Sequence, residues 1–258
     1  MDFKQMFLKG KMPDVRICDV HGHIGIFKGT TPENTDYKSV ISAMERFGIE
    51  KTVISSADAI RGEVISGNND VYDAVNDSSG KLMGYVTVNP SCENGTVAEI
   101  KRFENKIISG VKYHPNYAKT PITDEKMTEC LKYINSKELI LLVHAYSYNQ
   151  VAEVEEIAKK YLGIKIIAAH CGTQSGYKLT AEIIKKYENV YCDISMSMPR
   201  ANLLEYLIEN GDENKVMFGS DAPLTEPSIS IGRIMLADIS DKAKEKVLGQ
   251  NFIKLFEI

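Results

Sequence analysis

The chain has 258 residues and a formal net charge of -4 at pH 7, a length that suits one α/β barrel of about 250 residues and a charge that offers nucleic acid or an anionic membrane surface nothing to hold. Its five cysteines are odd in number and widely spaced, unlike a secreted disulfide framework, so reduced thiols are expected. No run reaches the roughly 18 apolar residues of a membrane helix, and residues 1–11 lack a leader's apolar core and cleavage site, which points to the cytoplasm and to small solutes as partners.

From one end to the other the chain alternates short apolar runs with amphipathic stretches. A strand is predicted at 15–20, then a helix over 37–47 with Val40, Ile41, Met44 and Phe47 on one face and Gly48 placed as its stop. The strand at 52–55 is followed by a weaker helical segment at 69–76, where Asn and Asp favour caps and turns. Strands at 83–89, 110–113, 139–143, 165–169, 190–194 and 216–219 continue the series, separated by helices at 97–103, 125–134, 151–161, 179–187 and 201–208. Helices at 229–237 and 241–248 and a short tail at 252–256 complete it. Eight β-to-α units without a Gly/Ser/Pro-rich linker predict an α/β fold, a single-domain (β/α)8 TIM barrel over residues 1–258. The alternative, a doubly wound open sheet, lacks its phosphate-binding glycine loop after the first strand.

All five histidines fall at or just beyond the predicted strand ends. In a barrel, groups placed there converge on one face. His21 and His23 follow the first strand two residues apart, so alternation aims both the same way. His114 follows the fourth strand, His144 the fifth and His170 the sixth, while Asp221 follows the eighth, which neighbours the first once the barrel closes. Several imidazoles and one carboxylate suit Zn²⁺, with Mn²⁺ or Fe²⁺ as alternatives. The ligand set read here is His21, His23, His144 and Asp221. Asp19, deeper on the same strand, would orient a ligand or fill a barrel layer. Arg61 and Arg200, in loops after the second and seventh strands, could each grip a substrate carboxylate. Met196 and Met198 read as adaptable packing at the mouth, and Cys171 as packing on the opposite face.

The set His21-x-His23, His144 in Leu-Leu-Val-His, His170 in Ala-Ala-His-Cys-Gly and Asp221 in Phe-Gly-Ser-Asp-Ala-Pro resembles the amidohydrolase superfamily. The stretch Gly110-Val111-Lys112-Tyr113-His114-Pro115 and the tail Lys246-Val247-Leu248-Gly249-Gln250-Asn251 are similar to its amidohydrolase-related branch of TIM-barrel metal-dependent hydrolases, which also includes decarboxylases. The resemblance implies one divalent metal, with Lys112 and His114 as substrate contacts. In binuclear members a lysine on the fourth strand is a carboxylated bridge, which leaves a second metal open and makes Lys112 the residue for it. Water acidified by the metal would attack a small carboxylic ester, lactone or amide, with Asp221 or His170 as the general acid/base. Metal-assisted decarboxylation of an unsaturated or aromatic acid is the alternative chemistry, and a metal-binding barrel without catalysis the alternative class. Nothing in the chain decides between a monomer and a homodimer.

Overall fold

In a computed structural model that describes residues 2–27, 35–104, 108–196 and 201–258, the apolar runs become eight strands. They are β1 (Ile17–Ile24), β2 (Ile49–Ser56), β3 (Leu82–Val88), β4 (Gly110–Tyr113), β5 (Ile140–His144), β6 (Lys165–Ala169), β7 (Val190–Asp193) and β8 (Val216–Met217). Successive strands pair in parallel in the order β1 to β8. The remaining seam, β8 to β1, is joined by main-chain hydrogen bonds from Val20 N to the Phe218 carbonyl (3.1 Å), Asp221 N to the His21 carbonyl (2.7 Å) and His23 N to the Ala222 carbonyl (2.7 Å). The fold is the predicted (β/α)8 barrel.

Two strand ends differ from the sequence reading in a way that matters. β1 does not stop at Val20 but runs through the histidine pair to Ile24, because the seam bonds and the pairing of Gly22, His23 and Ile24 with β2 continue the ladder. β8 keeps only Val216 and Met217, and at its predicted end Phe218 turns its N–H to the Val247 carbonyl of the C-terminal segment at 2.8 Å while its own carbonyl stays in the seam with β1.

The helices follow from their apolar faces and caps. Tyr37–Phe47 starts on Asp36, whose carboxylate accepts from Ser39 N, and stops on Gly48 in the left-handed region at φ 65°. The segment expected to be weakest lies inside Val64–Asp77. Burial of Val71, Ala74 and Val75 outweighs its poor propensity, and Asn68 binds the Thr87 main chain on both sides, at 2.8 and 2.9 Å. The predicted helix at 241–248 is Asp241–Glu245 continued by a wide π turn, Lys246–Gln250, and the tail is a helix, Asn251–Phe256. Gly249 permits this. A Cβ there would lie 2.2 Å from the Arg16 carbonyl, just before β1.

Most of the core lies between the sheet and the helices. A second cluster fills the barrel, where Cys18, Val20, Tyr85, Leu142 and Met217 pack with Phe252 and Leu255 of the last helix. That helix therefore covers the end of the barrel opposite the histidines. The cysteines are free thiols, and burial pushes Cys18 and Cys130 up to about 12. Among the described residues no helix is long and apolar enough to cross a membrane.

Candidate metal centre and active site

β1 delivers His21 and His23 and the β8–β1 seam delivers Asp221. The bond from Asp221 N to the His21 carbonyl holds Asp221 at φ 59°, a conformation rare for a residue with a side chain. Its Oδ1 lies 2.9 Å from His23 Nε2 and 3.4 Å from His21 Nε2. Donor atoms of these three residues all fall within 4.8 Å of one another and are buried. Each imidazole is braced behind: His21 Nδ1 lies 3.1 Å from Asp193 Oδ2, and His23 Nδ1 lies 3.0 Å from Ser55 Oγ. Metal-binding histidines are held in this way, with one nitrogen braced and the other aimed at the ion.

Lys112 is buried on β4, its Nζ 2.9 Å from His21 Nε2. Burial lowers its pKa to about 8 although Asp221 and Asp193 favour its charge. Burial is also the chief reason His21 falls to about 3, with the Lys112 charge adding to it, and it depresses His23, His114 and His144 as well. Burial alone would raise the carboxyls of Asp193 and Asp221, but His21 and the other hydrogen-bonding groups around them keep both below the usual range. The neutral imidazoles, two carboxylates and one ammonium leave a net negative charge in a buried place, a donor set that fits a divalent cation. Asp19 takes bonds from His21 N (3.0 Å) and Ser220 N (2.9 Å), and burial lifts its pKa to about 7. It ties β1 to the segment carrying Asp221, which agrees with the first of the two roles expected for it, orienting a ligand.

The other imidazoles form a second group. His144 Nδ1 lies 3.0 Å from His170 Nε2, and His170 Nδ1 lies 3.1 Å from the Ser195 carbonyl. His114 stacks on His144, ring centroids 3.9 Å apart and planes 15° apart, and its Nδ1 is buried without a hydrogen-bond partner among the described residues. His144, read as a ligand, belongs to no cluster of three or more converging donor atoms among the described residues and approaches His21 only by way of His170, whose ring centre lies 5.0 Å from that of His21. Both groups open into a cavity of about 430 Å³ whose walls include Phe27, Tyr117, Tyr146, Met196 and Leu224. Met196 lines the mouth as expected and Cys171 is buried in the core.

Arg61 is not brought to the cavity. Its guanidinium donates to the Ile26 carbonyl (2.9 Å) and to Asp58 (3.2 Å), which fastens the loop after β1 to the turn after β2. Arg200 and Met198 lie outside the described residues. Sequence reasoning missed Asp193, Ser195 and Ser55, and the aromatic walls Phe27, Tyr117 and Tyr146. Asp193 carried a usable signal, since a lone carboxylate in the apolar run 190–194 must find a buried partner. The aromatic walls carried none, because they come from loops after different strands.

The amidohydrolase family model matches residues 18–258. No curated protein matches the chain by sequence. Among solved structures the chain is similar to 5-carboxyvanillate decarboxylase of Sphingomonas paucimobilis (13% identity, TM-score 0.74, covering 95% of this chain and 100% of that one). It is similar to a dihydroxybenzoic acid decarboxylase of Polaromonas sp. JS666 with bound manganese and the inhibitor 2-nitroresorcinol (14%, TM-score 0.76, 94% and 97%). It is also similar to a probable 2-pyrone-4,6-dicarboxylic acid hydrolase of Acinetobacter baumannii with citric acid bound (15%, TM-score 0.73, 95% and 100%). At such identities the likeness is one of fold.

Proposed function

The chain belongs to the amidohydrolase family, and on that premise we propose that it is a metal-dependent enzyme that hydrolyses a small carboxylic ester, lactone or amide at a centre built from His21, His23, His144 and Asp221. The observation that carries this reading is the convergence of His21, His23 and Asp221 within 4.8 Å beside a cavity of about 430 Å³. When bound, one divalent cation, Zn²⁺ ahead of Mn²⁺, supplies Lewis acidity and acidifies a water toward a pKa of roughly 7. The residues around it do the rest. Asp221, ionised and in reach of both β1 imidazoles, accepts the water's proton and returns it to the leaving group. His170 is the alternative carrier, moving a proton through its bond with His144. The Lys112 ammonium stabilises the oxyanion that develops beside His21. His114 Nδ1, buried and without a hydrogen-bond partner among the described residues, meets a polar atom of the substrate. Arg200 remains the proposed grip on a substrate carboxylate.

The cavity walls favour a second reading, decarboxylation of an aromatic acid. Phe27, Tyr117, Tyr146, Met196 and Leu224 present a mostly apolar surface, and an apolar wall disfavours a carboxylate relative to neutral CO2. The two reactions separate in one experiment: the metal-loaded protein is offered lactones, esters, amides and aromatic acids in ¹⁸O-labelled water. Hydrolysis places one solvent oxygen in the acid product and releases no CO2. Release of CO2 without solvent oxygen in the remaining product overturns the hydrolase reading in favour of the lyase. Neither outcome on the whole panel, with metal bound, favours a binding barrel without catalysis.

A further inference from the structure

We infer that Asp193 and Ser195, at the end of β7, decide which nitrogens of His21 and His144 carry the proton and which keep the lone pair, an inference that rests on the metal-dependent reading above. β7 supplies none of the proposed ligands, yet its end engages imidazoles from two sides. Asp193 Oδ2 sits 3.1 Å from His21 Nδ1. A carboxylate only accepts, so Nδ1 carries the proton and Nε2 keeps its lone pair. The Lys112 ammonium, a donor only, lies 2.9 Å from that same Nε2 and agrees with the assignment. On the other side the Ser195 carbonyl, again only an acceptor, takes the proton of His170 Nδ1 at 3.1 Å. In the form of His170 that carries one proton, at Nδ1, its Nε2 accepts, so His144 donates from Nδ1 across 3.0 Å and keeps its own lone pair at Nε2.

Asp193 is built in for this task. Its Oδ1 receives His170 N (3.2 Å), Ser195 N (2.8 Å) and the Ser195 hydroxyl. It is wholly buried, and Gly219 leaves it room, since a Cβ there would lie 3.0 Å from its Cγ. Donor atoms of His21, His170 and Asp193 also fall within 4.8 Å of one another. With both Asp193 oxygens and His170 Nδ1 already bonded, this group serves as a brace rather than a second ion site.

The test is Asp193→Asn in the full chain. Three donors aimed at the Oδ1 position fix the amide oxygen there, which turns the amide NH2 toward His21 Nδ1. That nitrogen then faces a donor, and the proton moves to Nε2 as Lys112 gives up its bond to that nitrogen. In ¹⁵N-histidine NMR of the metal-free protein His21 is expected to change from the Nδ1–H to the Nε2–H form. Titration with Zn²⁺ alone should weaken by about 10- to 100-fold, the usual cost of losing a brace behind a metal ligand, while one equivalent still binds. Ser195→Ala keeps the carbonyl and should leave the His170 and His144 tautomers unchanged. An unchanged His21 tautomer with unchanged Zn²⁺ affinity overturns the inference. So does wild type binding two equivalents with one lost in Asp193→Asn, which would make Asp193 a ligand. If the variant does not fold, the tautomer of wild type decides: a proton on His21 Nε2 in the metal-free chain overturns it. A wild type that binds neither Zn²⁺ nor Mn²⁺ refutes the metal-dependent reading, while the tautomer measurement still stands.

Discussion

The two ends of the barrel are built on opposite terms. At the covered end Phe252 and Leu255 meet the inner apolar cluster, and Asn251 donates to the carbonyls of Glu213 and Val216 at 2.8 Å each. At the histidine end the buried groups are His21, His23, Lys112, Asp193 and Asp221, and His170, Cys171, Thr173 and Asp221 all have positive φ. Strained backbone and buried charge cost stability and persist where the surroundings hold them. The contrast teaches that the fold keeps its stability at one end and its chemistry at the other.

The sharpest way to break that contrast is to remove a donor at the open end. Asp221→Ala should abolish activity and bring metal content near zero, with the metal-free thermal midpoint lowered, because the buried Lys112 ammonium and His23 Nε2 each lose a partner. Chelating the metal from wild type should lower its midpoint, since an ion at 100 times its Kd contributes about 2.7 kcal/mol. Metal content equal to wild type in Asp221→Ala would remove Asp221 from the centre.

At the covered end Phe252→Ala should do the reverse. Loss of a buried aromatic costs about 3–5 kcal/mol, read as a lower midpoint in urea, while the folded fraction keeps its metal affinity. A loss of metal affinity without loss of stability would mean that the two ends are coupled.

Acid should act on the open end first. His21 falls to about 3 in the fold against about 6.5 unfolded. The unfolded chain therefore binds more protons between these values, and stability present above pH 6.5 is lost as pH falls through that window. For His21 alone the loss by pH 5 is about 2 kcal/mol, and His23, His114 and His144 shift the same way. Urea unfolding of the metal-free chain at pH 7 and pH 5 measures it. Asp19, lifted to about 7, gains about 2 kcal/mol over the same interval, so the measurement is made in Asp19→Asn beside wild type, and equal midpoints in that variant would contradict neutral, buried imidazoles.

The smallest effect separates position from function. Ser147 stands at the open end, yet its structural role is a capping box with Gln150 on the helix Tyr148–Lys160. Ser147→Ala should cost about 1 kcal/mol, seen in the thermal midpoint, with metal affinity unchanged.

By itself the sequence determined the periodicities. Apolar runs marked all eight strands, with β4 and β6 right to the residue, because alternation and burial are local properties of a strand. It also marked His21, His23, His144, His170 and Asp221, since a histidine or aspartate at the end of an apolar run must be satisfied by something nonlocal. What satisfies them comes from strands and turns that meet only in the folded barrel. The β8–β1 seam sets Asp221 between two imidazoles, Asp193 crosses from β7 to His21, and Arg61 turns away to the Ile26 carbonyl. These contacts join residues far apart in the chain, up to 201 positions between Asp19 and Ser220. Closure of the sheet fixes them, and a period of two or of 3.6 residues carries no information about which strands meet when it closes.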